Sequence, residues 1–418
     1  MSLKLIFIII ILSVLSLILF FVFSSILRRV SHNKKYKELD RQKKLYRGKI
    51  MIAIQGGEVF QQIIDFRSSP KTIKWQAIED ILLELINEIK YKENIREFFD
   101  RLGYVALYEK KLESKNVIRK ATAIDKLGKM LSEASVKKLL EILANEKNNV
   151  EIVSVTIRAL SRIGLIEGLR GVLEQLSDLL RKSLISRKTI ESSLINFGPA
   201  AVPVLIEYGR KYDDPHIRAS ILEALSDLPL TQSSCSFASE NLKNNEAEVR
   251  AKSSILLGLS NTASITIDPD SILPLLDDKV WFVRLQAAKA LGNLKVEKAI
   301  GMLGNLLLDE NWQVRNAASR ALAGMNDASL DAFLKILKGE DQYARESVCE
   351  EIERTNLAKR LIENLDSNDR IIYEKSKEIL KYMHYLGFST PLLEYLKTGD
   401  GNRLKGKIYM ILNGAEAA

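Results

Sequence analysis

The residues able to do chemistry are few and scattered along this chain. His32, His216 and His384 are its only histidines, and none has a second His or Cys at metal-ligand spacing. Two cysteines, Cys235 and Cys349, give no disulfide framework and fit a reducing compartment. Cys349 takes the small-residue place that Ala288 fills in its own segment, which reads as a packed core thiol. Gly56-Gly57 and Gly399-Asp400-Gly401 lack both the GxGxxG spacing and the following Lys-Ser/Thr of a phosphate loop. Carboxylate pairs such as Glu350-Glu351 and Asp213-Asp214 are adjacent, so their members do not share a helix face. The sequence therefore predicts no catalytic residue, no metal and no cofactor, and points to a binding protein rather than an enzyme.

Aromatic residues offer the better candidates. Trp281 and Trp312 each stand two positions before an aliphatic residue, in segments 31 residues apart. Tyr373 and Tyr382, with Tyr385, Tyr395 and Tyr409, cluster toward the end. Aromatics stacked along one face make anchors for a partner peptide or helix. The competing reading is that a Trp in the first turn of a helix covers the loop beside it, and that at least some of the tyrosines are core.

The elements that must position these residues repeat. An aliphatic slot recurs about every 31 residues at Ile152, Ser186, Ile217, Val249, Val283, Val314, Ala344 and Ile371, with a looser copy from Arg119. Eight residues after each comes Leu127, Leu160, Leu194, Leu225, Leu257, Leu291, Leu322, Ile352 or Ile379. Offsets of 0, 4, 7 and 8 fall on one helical face. Small residues within it, such as Thr156, Ser253, Ala287 and Ala318, would let a neighbouring helix approach closely. A second amphipathic stretch lies between these helices, as in residues 201–206 and 299–307. Breakers at Gly198-Pro199, Asp213-Asp214-Pro215, Asp268-Pro269-Asp270 and Asn293 mark the turns. Each period is thus a helical hairpin. No window alternates apolar and polar residues, so no sheet is expected. The fold class is all-α: an α-solenoid in which each hairpin buries its apolar face only by stacking on its neighbours.

The pattern resembles the HEAT repeat, in the short bacterial form also found in phycobilisome lyase-like proteins. The resemblance spans residues 115–385 and is strongest over 199–325. It includes Asp278 with Arg284 and Asp309 with Arg315, an acid six residues before the Arg, as in the family's inter-repeat hydrogen-bond ladder. Arg250 departs from this with Asn244 in place of the acid, Arg218 with Tyr212, and Asp366 has Ile372 where the Arg should be. The resemblance implies a ladder complete only near the middle. It also implies that the second helix of each hairpin lines a concave binding face. Likeness to the lyase-type repeats would imply handling of a small ligand for an acceptor protein.

Leu5 to Leu27 is a nearly unbroken apolar run. At 1.5 Å per residue it spans about 35 Å, enough for a bilayer core of roughly 30 Å. A cleaved signal peptide is the competing reading, disfavoured by the length of the run and the lack of a small-x-small site. Residues 28–49 carry ten Lys or Arg, among them Arg28, Arg29, Lys34, Lys35 and Lys37, against Glu38 and Asp40. With Lys4 they account for the whole net charge of +9, leaving residues 50–418 neutral. The pI near 9.2 thus describes the basic block and not the repeats. A positive flank stays cytosolic and attracts anionic lipid headgroups. A neutral remainder gives no basic track for nucleic acid.

The expected organisation is a transmembrane anchor (1–27), a basic juxtamembrane linker (28–70), a helical cap (71–114), the solenoid (115–385) and a C-terminal cap and tail (386–418). The expected setting is the inner face of the plasma membrane, N-terminus outside. The expected partners are membrane-associated proteins.

Overall fold

The computed structural model describes residues 3–55, 66–86, 91–146, 148–181, 185–260, 265–399 and 402–414. Gly56, Gly57, Asp400, Gly401 and the tail 415–418 lie outside the described residues, as do the side chains of Arg28 and His32. Every regular element among the described residues is a helix. They form two compact units, residues 1–172 and 173–418.

In the first unit, α1 (Leu3–Gln55) is one unbroken helix. Within the expected linker at 28–70, residues 28–55 continue the helix. The reason is local. The stretch has no proline, it is rich in Lys, Arg, Leu and Gln, and Glu38 accepts from Arg41 and Gln42 one turn on. Its apolar half is open, with Leu15, Phe20 and Leu27 more than half exposed. By length and composition this helix can cross a membrane. Its other half buries Leu39, Ile50, Ala53 and Ile54 against α2 (Ile73–Leu85), which contributes Trp75, Ile78, Ile81 and Leu82. Lys43 and Arg47 both reach Glu84 on α2, at 2.5 and 2.7 Å. After α2 come α3 (Lys92–Arg101), α4 (Tyr104–Lys111), α5 (Val117–Lys129), α6 (Val136–Asn145) and α7 (Val150–Ile163). Trp75 and Tyr104 lie 3.9 Å apart, centroid to centroid, and Tyr104 donates to the Trp75 carbonyl at 2.7 Å. Buried Glu79 accepts from Tyr108 at 2.8 Å and pairs with Lys126 at 3.0 Å, so the cap is cross-linked to the first regular repeat.

The helix α8 (Ile166–Arg181) leads into the second unit, where first and second helices alternate. The first helices are α10 (Val202–Lys211), α12 (Gln232–Glu240), α15 (Ile300–Leu306), α17 (Leu330–Leu337), α19 (Leu357–Asn364) and α21 (Thr390–Thr398). The second helices are α9 (Arg187–Asn196), α11 (Pro215–Asp227), α13 (Ala247–Gly258), α14 (Trp281–Asn293), α16 (Trp312–Ala323), α18 (Gln342–Arg354), α20 (Arg370–Tyr385) and α22 (Asn402–Leu412). Between α13 and α14 the first helix is a 3-10 turn, Pro269–Asp277, kept from the α form by Pro274.

All nine Leu or Ile residues at offset eight are fully buried, as are Ile152, Ile217, Val249, Val283 and Val314. Two slots fall elsewhere. Ser186 is the exposed N-cap of α9, its hydroxyl accepting from Thr189 N–H, because that helix starts one turn late. Ile371 is 64% exposed, because the Asp369 cap sets Ile371 one position too early in α20 to face inward.

Second helices approach so closely that glycine is required. A Cβ on Gly258 would lie 2.7 Å from the Ala290 Cα, and one on Gly292 would lie 2.6 Å from the Ala321 Cβ. Gly128 stands in the same relation to Ala159 in the first unit, at 2.6 Å. Several turns leading out of second helices need a left-handed residue. Gly164 and Gly198 supply it freely, whereas Leu131, Lys295 and Asn326 adopt it at φ 54°, 52° and 55°.

Candidate partner-binding surface

The ladder fixes how the middle second helices are presented. Arg284 donates from Nε and Nη2 to both carboxylate oxygens of Asp309 in the following repeat, at 2.6 and 2.9 Å. Its Nη1 donates to the Asp278 main-chain carbonyl in its own repeat at 2.8 Å. Arg250 does the same with Asp278, at 2.7 and 2.9 Å, and with the Asn244 carbonyl at 2.8 Å. Arg250 is therefore a full rung although its own repeat has no acid. The own-repeat acceptor is a backbone carbonyl, which Asn244 supplies as well as an aspartate would. Arg315, which has the acid in its own repeat, bonds only the carbonyls of Asp309 and Glu310, because Gly339 stands where the next aspartate is needed. Burial pushes the carboxyls of Asp278 and Asp309 up. Their arginine partners, with the N–H groups of Val280 and Asn311, outweigh this and hold both below the ordinary aspartate range.

Trp281 and Trp312 are the first residues of α14 and α16, immediately after the Val280 and Asn311 caps. They are 38% and 61% exposed, so neither is core. Trp281 meets half-buried Phe282 edge to face at 5.8 Å. Tyr343, one position further into the next second helix, is 75% exposed and joins the same row of helix ends. The sequence reading missed it, although its place one residue before Ala344 was available as a signal. Tyr382 does not join the row. It lies near the other end of α20, in a groove of about 540 Å³ with Lys377, Lys381 and Tyr385. Tyr373 is half-buried between Lys377 and Lys407, whose amines stand 5.7 and 5.5 Å from its ring. None of the five late tyrosines is buried, against the expectation that some are core.

Two charged clusters lie elsewhere. On α9, α11 and α13, Arg187 bridges Glu248 and His216, and Lys252 holds Glu223. Burial pushes the Glu191 carboxyl up beside them. In the first unit a cavity of about 700 Å³ is lined by Lys43, Asp80, Glu84, Lys92, Lys129 and Arg162. Burial raises the Asp80 carboxyl, while Lys129 and Arg162 both pair with Asp125 at 2.7 Å. No cluster of three metal-binding side chains occurs among the described residues. Burial drives the Cys349 thiol up to about 12, so it stays protonated near neutral pH.

The run of paired helices with an arginine ladder between their turns is also what the comparison with family models picks out. Residues 269–353 match the model for HEAT repeats. These residues are HEAT repeats. The matched segment holds Trp281, Trp312, Tyr343 and the Arg284–Asp309 rung. No curated protein matches the chain. Among solved structures, it is similar to an engineered protein at 17% identity, covering 85% of this chain and 98% of that one, TM-score 0.36. It is also similar to Kap95p, solved in a study of its binding to RanGDP, at 14% identity, covering 88% of this chain and 57% of that one, TM-score 0.43. A Kap121p mutant gives 12% identity, covering 89% and 43%, TM-score 0.41.

Proposed function

We propose that this chain is a membrane-tethered scaffold whose HEAT repeats bind protein partners, with the exposed aromatics of the second helices as anchors. It has no catalytic role in this reading. The observation that carries it is α1, a single helix whose exposed apolar half runs directly into a half buried on α2. Such a helix is a stiff mount, and tethering raises the repeats' effective concentration for membrane-bound partners. The orientation follows from Arg28, Arg29, Lys34, Lys35 and Lys37: N-terminus outside, repeats in the cytosol, basic side chains among anionic headgroups. From Leu27 to Leu39, where α1 is buried, the helix rises about 18 Å. A role as accessory subunit of a membrane or envelope system fits this geometry by analogy of architecture.

Carbonate extraction and protease protection test the proposal. The full-length chain should stay in the pellet, and residues 50–418 should resist protease in intact cells and be cut once the cytosol is opened. Extraction by carbonate, or cutting in intact cells, overturns it. The second reading, a lyase- or chaperone-like carrier of a small ligand, is favoured by one observation: the 700 Å³ cavity is of ligand size and lined by convergent charges.

A further inference from the structure

Resting on the scaffold reading, we propose that the partner presents a basic amphipathic helix, laid across the N-terminal ends of α14, α16 and α18, with apolar residues seven positions apart. Trp281, Trp312 and Tyr343 occupy the first or second position of three successive second helices. Long side chains on a helix lean toward its N-terminus, so in the first turn these three project past the helix ends into solvent. Leu308, in the loop before Trp312, adds an exposed aliphatic neighbour.

Spacing selects the occupant. The pairs α14–α16 and α16–α18 pack directly, and packed helices lie about 8–10 Å apart. Seven residues of helix rise about 10.5 Å, so one apolar residue per seven meets one aromatic per repeat. A strand repeats each face every ~6.7 Å and falls out of step.

Charge selects its sign. Asp277, at the end of the 3-10 turn, and Glu310 and Glu340 in the following loops are exposed, and none makes an ion pair among the described residues. Among the bases of the row, Lys279 is exposed, Lys338 is taken by Glu378 at 2.9 Å, and Arg315 and Arg345 are half-buried, Arg315 on main-chain carbonyls. At α16 and α18 the helix ends do not present bare amides to favour an anion, since Asn311 and Asp341 already accept from Gln313 and Ala344 N–H; only α14, capped by Val280, lacks a side-chain acceptor.

The test is photo-crosslinking on the full chain in native membranes, free peptide held equal across variants. The probe is a helical peptide of about three heptads, with leucine at every seventh position on a lysine background. Controls carry glutamate in place of lysine, leucine at every fifth position, or a proline-rich sequence. The expected result is attachment within residues 277–343, reduced about tenfold or more by Trp312→Ala or Tyr343→Ala, as for an aromatic anchor. The double charge reversal Glu310→Lys/Glu340→Lys should weaken it and flatten its salt dependence. Equal attachment of any control, or an unchanged yield with Trp312→Ala, overturns the proposal. A native partner crosslinked to 370–385 and not to 277–343 also overturns it while leaving the scaffold reading intact. No partner anywhere overturns both.

Discussion

Between α13 and α16, Arg250 and Arg284 each grip the aspartate of the following repeat, and Gly258 and Gly292 let the next helix close to contact distance. Beyond α16 the helical pattern continues but the grip is lost. Arg315 reaches only carbonyls, and the Nε of Arg345 is buried without a partner. Asp366, the next acid along, is held by Arg403 and Lys407 at 3.2 Å each. There α20 packs across α17 and α19, with Lys375 on Asp331 and Lys338 on Glu378. One apolar pattern thus supports two ways of joining repeats. Where arginine and aspartate fall one repeat apart the stack is pinned by buried charge pairs. Where they do not, other pairs join the repeats: Arg320 on α16 reaches the buried carboxylate of Glu351 on α18 at 3.0 Å, and Arg360 holds Asp327, beside the exposed pairs.

The sharpest way to break this comparison is to remove one rung. Arg284→Ala strands Asp309, whose side chain is 5% exposed, and should destabilise by about 3 kcal/mol in chemical denaturation. Arg315→Ala loses only hydrogen bonds to carbonyls and should cost about 1 kcal/mol. Equal losses would show that the inter-repeat carboxylate is not what pins the middle. Glycines give the next contrast. Gly292→Ala should cost about 1–3 kcal/mol through overpacking against Ala321, while Gly301→Ala, with nothing within 4 Å, should gain about 0.5–1 kcal/mol.

Acid titration sharpens the same point. The carboxyl of Asp309 is depressed on folding, so its stabilisation is complete above the ordinary aspartate range near 3.9 and is lost as pH falls through the lower folded value. Stability measured against pH should therefore drop on the acid side, and Asp309→Asn should flatten that limb while lowering the plateau. Smallest is Lys295→Gly, which relieves a left-handed backbone and should raise stability by about 0.5 kcal/mol in the same assay.

Much of this architecture was legible in the sequence because burial alternates with a helical period. The offset-eight leucines specify the inward face, and all are buried. The ladder was read only within a repeat, since six-residue spacing is visible in sequence whereas the bond that matters joins residues 25 to 28 positions apart. That residues 28–55 are helical and packed on α2 was not read, because a charge run signals topology and helix propensity at once, and only the burial of Leu39, Ile50 and Ile54 brings out the second. Exposure of Trp281 and Trp312 could not be read from type, since a Trp in a first turn covers a loop or projects from it with the same spacing.

The central claim, that these repeats are a scaffold with its anchors at the second-helix ends, is tested most directly by crosslinking mass spectrometry on native membranes. The full-length chain is compared with the Trp281→Ala/Trp312→Ala variant. The account predicts a reproducible protein partner crosslinked through Lys279, Lys289 or Lys338 and lost in the double variant. A partner retained at full yield in that variant, or no protein partner under any condition, would contradict it.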